Sequence, residues 1–521
     1  MSFPDGIATV TDFARVQART RPDAAALWFE GRQTSFASLD ERSSQCAQAL
    51  LAAGVAPGDR VAVLAKNTDA FPVLWFGTMK TRACVVPVNT RLAAPEIAAI
   101  LRDSGARYLV FGADFAGMLD LITAACPDLT TQVQFEQGHP RLPGFDAWIA
   151  AFPAIDPHLP EDPDDDIIQL YTSGTTGRPK GVPLTHANCL TQCHASLQMS
   201  NTRGEAGQST LLALPVFHVA GAVVALVSMA QGTRAVMVRD INPAELARVI
   251  ASQRVAFAFL TPTIIHMILA APESADADYS GLEQILYGAS PISEDLLRRA
   301  MARFRCAFTQ VYGMTEATGA VTSLPPEGHV PGKLLSCGKP NPGVELRVVD
   351  AAGNDVRQGK VGEIMLRAPS IMRGYWRQPA ATAAVLDAGG WYRSGDAGWV
   401  DADGDLFIHD RVKDMIVSGA ENVYPTEVEN AIDGHPDVSE VAVIGVPDDR
   451  WGEAVKAIVV PKAGAARDAD SIIAWARQRI GGFKVPKSVD FVAALQRNAT
   501  GKVLRRTLRE QYWAGRERQV G

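Results

Sequence analysis

A chain of 521 residues, 47% apolar and 21% charged, can bury a large core, which excludes a peptide-scale scaffold or a disordered chain. Fifty basic against fifty-seven acidic residues give a net charge of −7, and the one long basic run, 505–518, lies at the C-terminal end. That balance speaks against a nucleic-acid or anionic-membrane partner and for small-molecule ones.

From the start to about Gly313, strand-like runs at 60–66, 83–89, 108–112, 167–174, 233–238, 256–260, 284–288 and 309–313 alternate with helical patterns. This rhythm predicts α/β structure with mostly parallel sheets. The uncharged stretch 211–230 is twenty residues long, enough to span a bilayer. Pro215, His218, Gly221 and Ser228 interrupt it and no basic flank adjoins it, so a buried strand and a helix start are predicted, and no transmembrane segment. Asn242 before Pro243, and Ser293 before Glu294, predict helix N-caps. The acidic run 162–166 reads as a solvated loop. No basic region followed by an apolar run opens the chain, so no signal peptide is expected. Seven cysteines at irregular spacing fit a reducing, cytoplasmic setting better than a disulfide framework.

Beyond Pro340, strands punctuated by Gly and Asp, with a hairpin at 399–410, predict an antiparallel β unit. The charged segment 410–414 then leads into about a hundred residues with α+β texture. The expected organisation is a large α/β N-terminal domain of several subdomains with an additional β unit, 1–411, and a small α+β C-terminal domain, 412–521.

The segment 171–181 (YTSGTTGRPKG) carries the clearest chemistry. Glycines let backbone N–H groups approach a polyphosphate, Thr172, Ser173, Thr175 and Thr176 add hydroxyls, and Lys180 adds a cation. It is not a Walker A loop, because Lys180 stands three residues after Gly177 instead of directly behind it. Four potential ligands on one helix, His186, Cys189, Cys193 and His194, lack zinc-site spacing.

This loop resembles the signature of the adenylate-forming superfamily of acyl-CoA synthetases, nonribosomal adenylation domains and beetle luciferases. Six more motifs follow in the family's order: LPVFHVAG at 214–221, YGAS at 287–290, YGMTE at 312–316, YRSGDAG at 392–398, DRVKDMIVSGAENVYP at 410–425 and RNATGKVLRR at 497–506. The resemblance implies ATP or AMP binding by Thr172, Ser173, Gly174, Thr175, Thr176, Gly177, Lys180, Gly288, Ala289, Ser290, Tyr312, Thr315, Asp396, Arg411 and Lys502. Tyr312 would face adenine, Asp396 would accept hydrogen bonds from the ribose hydroxyls, and Glu316 suits Mg²⁺. Lys502 would bridge carboxylate and α-phosphate, with Thr315 and His218 as further catalytic groups. Lys413 matches the hinge on which a mobile C-terminal domain turns between half-reactions. Ser418, Gly419, Ala420, Trp451, Phe483 and Lys487 match positions that contact coenzyme A. Three departures concern the thiol channel: Ala420 for a glycine, Gln496 for a proline, and Val485 where some relatives carry a base.

Segments that would line the acyl pocket bring Phe217, His218, Ala220, Gly221, Thr261, Gly288, Gly313, Met314 and Gly319. Apart from His218 and Glu316 they hold no ionisable side chain, so an amino acid or a dicarboxylate is disfavoured. The small residues are expected to leave room for an apolar tail. The resulting expectation is an ATP-dependent acyl-CoA ligase for a medium- or long-chain fatty acid, using Mg²⁺ and coenzyme A. Alternatives are an aryl or arylalkanoic acid, a carrier-protein loader, and a noncatalytic binding protein; a homodimer stays open.

Overall fold

Val- and Ile-rich runs without alternation suit strands buried on both faces, and they form two large parallel sheets here. The computed structural model describes residue 3 and residues 6–136, 138–172, 179–199, 207–411, 414–418, 421–448, 451–497 and 502–514, with the backbone alone at 409–411, 417, 421, 422 and 452.

A six-stranded sheet runs in the order Thr131–Gln134, Tyr108–Phe111, Arg60–Leu64, Cys84–Pro87, Asp166–Thr172, Lys180–Thr185. The first five strands are parallel and the last turns back antiparallel, with Pro183 tolerated because it stands on the edge. Thr172 lies opposite Lys180 in that hairpin. The acidic run before it is solvated only over its first part, where Asp162 and Asp164 are exposed. Asp165 pairs with Arg82 at 2.7 Å, and Asp166 with Arg60 at 2.6 Å and Arg373 at 2.8 Å, because buried Arg60 needs a counter-charge.

A nine-stranded sheet runs Lys339–Pro340, Gly319–Leu324, Ala307–Met314, Gln284–Gly288, Phe257–Leu260, Ser209–Leu212, Arg234–Met237, Ala25–Phe29, Arg32–Ser35. Its six central strands are parallel. The expected caps are made: the Glu245 N–H donates to Asn242 at 3.0 Å, and the Leu296 N–H to Ser293 at 3.3 Å. The uncharged stretch resolves into the strand Ser209–Leu212 and the helix Val219–Gln231, and among the described residues no helix is long and apolar enough to cross a membrane.

The β unit is a four-stranded antiparallel sheet, Glu345–Val349, Gly362–Arg367, Tyr392–Val400, Leu406–Arg411. Its hairpin turn is neutralised by Lys333, which contacts Asp401, Asp403 at 2.9 Å and Asp405 at 2.7 Å. After it, Gly452–Pro461 and Val438–Asp448 pair antiparallel within a five-stranded sheet, packed with Pro425–Ile432, Ala469–Arg477 and Arg505–Trp513. Two apolar clusters between Ile416 and Leu508 serve this part, whereas the largest cluster of the molecule ends at Leu406.

Candidate active site

Parallel strands align their C-terminal ends, and the loops leaving that edge bring distant residues together. At the ends of Gln284–Gly288 and Ala307–Met314 two cavities meet. One is polar, and Tyr312, Ser290, Asp396 and Lys502 all line it. The other is apolar and runs between those strands and the helices His186–Met199 and Val219–Gln231. Ala289, Val311 and Gly313 line both.

In the polar cavity the Tyr312 hydroxyl donates to Asp396 Oδ2 at 2.8 Å. Burial and the adjacent carboxylate push the phenol well above its ordinary pKa, so it stays a donor. The Ser394 hydroxyl accepts from the Asp396 N–H at 3.0 Å, which sets the angle of the SGD turn. Arg411 is the register partner of Asp396 on the neighbouring strand. Ala289 has φ +66°, a left-handed conformation that turns the chain sharply after Gly288. Lys502 arrives from the C-terminal part beside Thr426, Asn430 and Arg505, and Arg505 is itself held by Glu429 at 2.7 Å.

Thr315 and Glu316 occupy the short 3₁₀ turn Thr315–Ala317 that follows Met314. Glu316 Oε1 accepts from the Tyr375 hydroxyl at 3.0 Å, and the ring of Tyr375 takes the Lys180 ammonium 4.5 Å from its centroid. Tyr375 thus ties the end of the Ser/Gly loop to the acid of YGMTE. Sequence reasoning missed it, and the only signal was an aromatic residue after Arg373-Gly374, whose partner Glu316 is 59 residues away.

Ala220, Gly313 and Gly319 line the apolar cavity, while Met314 lines the polar one. Phe217, His218, Gly221, Thr261 and Gly288 line neither. Thr261 caps its own helix, accepting from the Ile264 N–H at 3.3 Å. His218 precedes the Val219–Gln231 helix with its ring 4.7 Å from that of Phe217. Its Nε2 is enclosed without a partner among the described residues, and burial, helped by the charge of Arg91, lowers its pKa to about 4. The expectation that every small residue leaves room for a tail needs correcting. A Cβ at Gly313 would lie 1.8 Å from the Gly319 carbonyl oxygen, at Gly288 2.1 Å from that of Val311, and at Gly221 2.3 Å from that of Pro215. The missing side chains are filled by backbone, not by empty space.

In the C-terminal part, Ser418 pairs in register with Gly452, next to Trp451, which is 41% exposed. Phe483 is 43% exposed under the Lys484 ammonium, and the Lys487 ammonium reaches the Gly482 carbonyl at 3.5 Å. Ser173, Gly174, Thr175, Thr176, Gly177, Lys413, Gly419 and Ala420 lie outside the described residues, as does the Arg411 side chain. The zinc idea finds no support, since His186 Nδ1 accepts from the Val10 N–H at 3.1 Å and, among the described residues, only Asp401, Asp403 and Asp405 gather ligand atoms within 4.8 Å.

Comparison with known proteins agrees with this arrangement. The AMP-binding enzyme family matches residues 14–376, and the AMP-binding enzyme C-terminal domain matches 427–502. A fatty acid–[acyl-carrier-protein] ligase of Streptomyces coeruleorubidus is 38% identical over 99% of this chain and 98% of its own. A feruloyl-CoA synthase of Amycolatopsis sp is 39% identical over 95% and 97%. The crystal structure of ATP-bound MatB from Rhodopseudomonas palustris superposes with a TM-score of 0.88 at 30% identity, covering 97% of this chain and 99% of that one.

Proposed function

From the premise that this chain belongs to the AMP-binding enzyme family, we propose that it joins an apolar monocarboxylic acid to coenzyme A through an acyl-adenylate. It is an AMP-forming acid–thiol ligase that consumes ATP. The observation that carries the finer reading is the wall of Ala289, Val311 and Gly313, shared by a polar cavity holding Tyr312, Asp396 and Lys502 and an apolar one. A nucleotide in the first and an apolar tail in the second would bring carboxylate and α-phosphate together at the junction.

In this reading a carboxylate oxygen attacks the α-phosphorus, the bond to the β-phosphate oxygen breaks and pyrophosphate leaves. The thiol sulfur then attacks the acyl carbon and AMP departs with the carboxyl oxygen. Tyr312 packs on adenine, Asp396 accepts from the ribose hydroxyls, and Lys502 with Thr315 stabilises charge at the α-phosphate. Ser290 and the loop 172–180 hold the nucleotide. One oxygen of Glu316 is engaged by Tyr375 and the other remains for Mg²⁺, which suits an ion that takes one or two carboxylates and completes its shell with water and phosphates. Mg²⁺ bound there supplies neutralising charge to the phosphate oxygens.

We assign 1–411 to the adenylating domain and 412–521 to the domain that delivers Lys502, turning at Lys413. Free coenzyme A is the proposed thiol, with the exposed Trp451 and Phe483 and the nearby Lys487 as its contacts. Loading of a carrier protein is the second reading, favoured by the 38% identical carrier-protein ligase. A fatty acid leads over an aryl acid because the apolar cavity lies between two helices and a sheet with no charged lining among the described residues. Seven free cysteines support the reducing cytoplasm as its proposed setting.

Pyrophosphate release, measured over saturated acids from acetate to palmitate and over benzoate, cinnamate and phenylalkanoates, tests this with coenzyme A or a carrier as acceptor. Apolar acids should turn over and malonate or an α-amino acid far less. A preference for malonate would overturn the pocket assignment, and turnover with a carrier alone would replace the acceptor.

A further inference from the structure

We propose that the acid this enzyme activates carries a hydroxyl group partway along its otherwise apolar tail, recognised by Gln192 and Ser196. The inference rests on the apolar cavity being the acyl site.

Gln192 and Ser196 stand one turn apart on the His186–Met199 helix and both line that cavity. Gln192 is only 2% exposed. Its Nε2 donates to Ser196 Oγ at 3.2 Å, the one side-chain hydrogen bond either residue makes among the described residues. The amide oxygen is left without a donor and the serine proton without an acceptor. Turning the amide over would only exchange which of these groups is left. A buried amide dipole facing an apolar space is costly unless something polar meets it, and leucine or methionine would line the same wall without that cost. A hydroxyl answers both groups at once, donating to the amide oxygen while accepting from Ser196. Among the described residues no charged side chain lines the cavity, so an ammonium or carboxylate there would stay unpaired.

The position along the tail follows from the direction of the helix. Gln192 packs on Gly319, where a Cβ would lie 3.2 Å from its Cδ, and Gly319 abuts Gly313 at the junction with the polar cavity. Two turns on, the Met199 carbonyl accepts from Gln284 Nε2 at 3.0 Å, at the first residue of Gln284–Gly288 and so at the opposite end of that strand. The helix therefore runs from the reacting end towards the cavity floor. Past Ser196 the lining is apolar again, with Met199, Val227 and Phe257. The hydroxyl belongs in the middle of the tail, not at its tip.

The test is kcat/KM for pyrophosphate release in two matched sets: decanoate, 5-hydroxydecanoate and 10-hydroxydecanoate, then dodecanoate, 6-hydroxydodecanoate and 12-hydroxydodecanoate. The mid-tail hydroxyl should raise kcat/KM by ~10-fold over the parent acid in at least one set, mainly through KM, and the terminal hydroxyl should not. In Gln192→Leu and in Ser196→Ala, the milder change, that ratio should fall towards one. Equal or better turnover of the parent acids by the unaltered enzyme would mean that water meets the pair, which overturns the proposal. A ratio unchanged in both variants would overturn it too. Absence of pyrophosphate with every acid, including the parents, would instead remove the functional reading beneath it.

Discussion

On the polar side of Ala289, Val311 and Gly313, partners from other parts of the chain hold the side chains: Tyr312 with Asp396, Glu316 with Tyr375, Arg505 with Glu429. On the apolar side the shape comes from backbone meeting backbone, at Gly313 with Gly319. The difference shows where each half should be vulnerable. Truncating a side chain should hurt the chemistry of the first, and adding a side chain should hurt the shape of the second.

The largest effect is expected on the polar side. Lys502→Ala should slow acyl-AMP formation by ~10² or more, the scale of losing a charge-stabilising donor, while transfer from supplied acyl-AMP to the thiol survives. Single-turnover measurement of each half-reaction decides this, and equal losses in both would end the assignment. Next comes Gly313→Val, which forces apart two strands so close that a Cβ would lie 1.8 Å from the Gly319 carbonyl oxygen. Destabilisation by about 3 kcal/mol is expected in urea unfolding, and an unchanged midpoint would show that the backbone contact relaxes cheaply.

His218 sharpens the contrast through pH. An unfolded histidine takes its proton near pH 6.5, whereas the enclosed imidazole resists until about 4. Its contribution to stability is therefore complete above 6.5 and lost as pH falls from there to 4, by at most about 3 kcal/mol. His218→Phe should flatten that part of the stability profile, measured by urea unfolding at pH 7 and pH 4.5. Identical profiles would place the acid sensitivity elsewhere. The smallest effect belongs to Tyr375→Phe, which removes one hydrogen bond to Glu316 and keeps the ring beside Lys180. A roughly 5-fold rise in the Mg²⁺ concentration for half-maximal rate is expected, with Mn²⁺ binding by electron paramagnetic resonance weakened in parallel. Unchanged binding would leave Tyr375 a packing residue.

What the sequence by itself determined is local or motif-bound. The caps Asn242 and Ser293, the hairpin after Trp399 and the alternation of strands with helices are written in residues a few positions apart, where capping, turn chemistry and periodicity act. The ordered motifs likewise sufficed for the family. Only the tertiary structure decided that Ala25–Phe29 would pair with Arg234–Met237, that Tyr375 would reach Glu316, and that backbone would fill the space beside Gly221 and Gly288. Such contacts depend on which surfaces remain to be buried once every strand has found its neighbours, and no pattern along the chain encodes that competition.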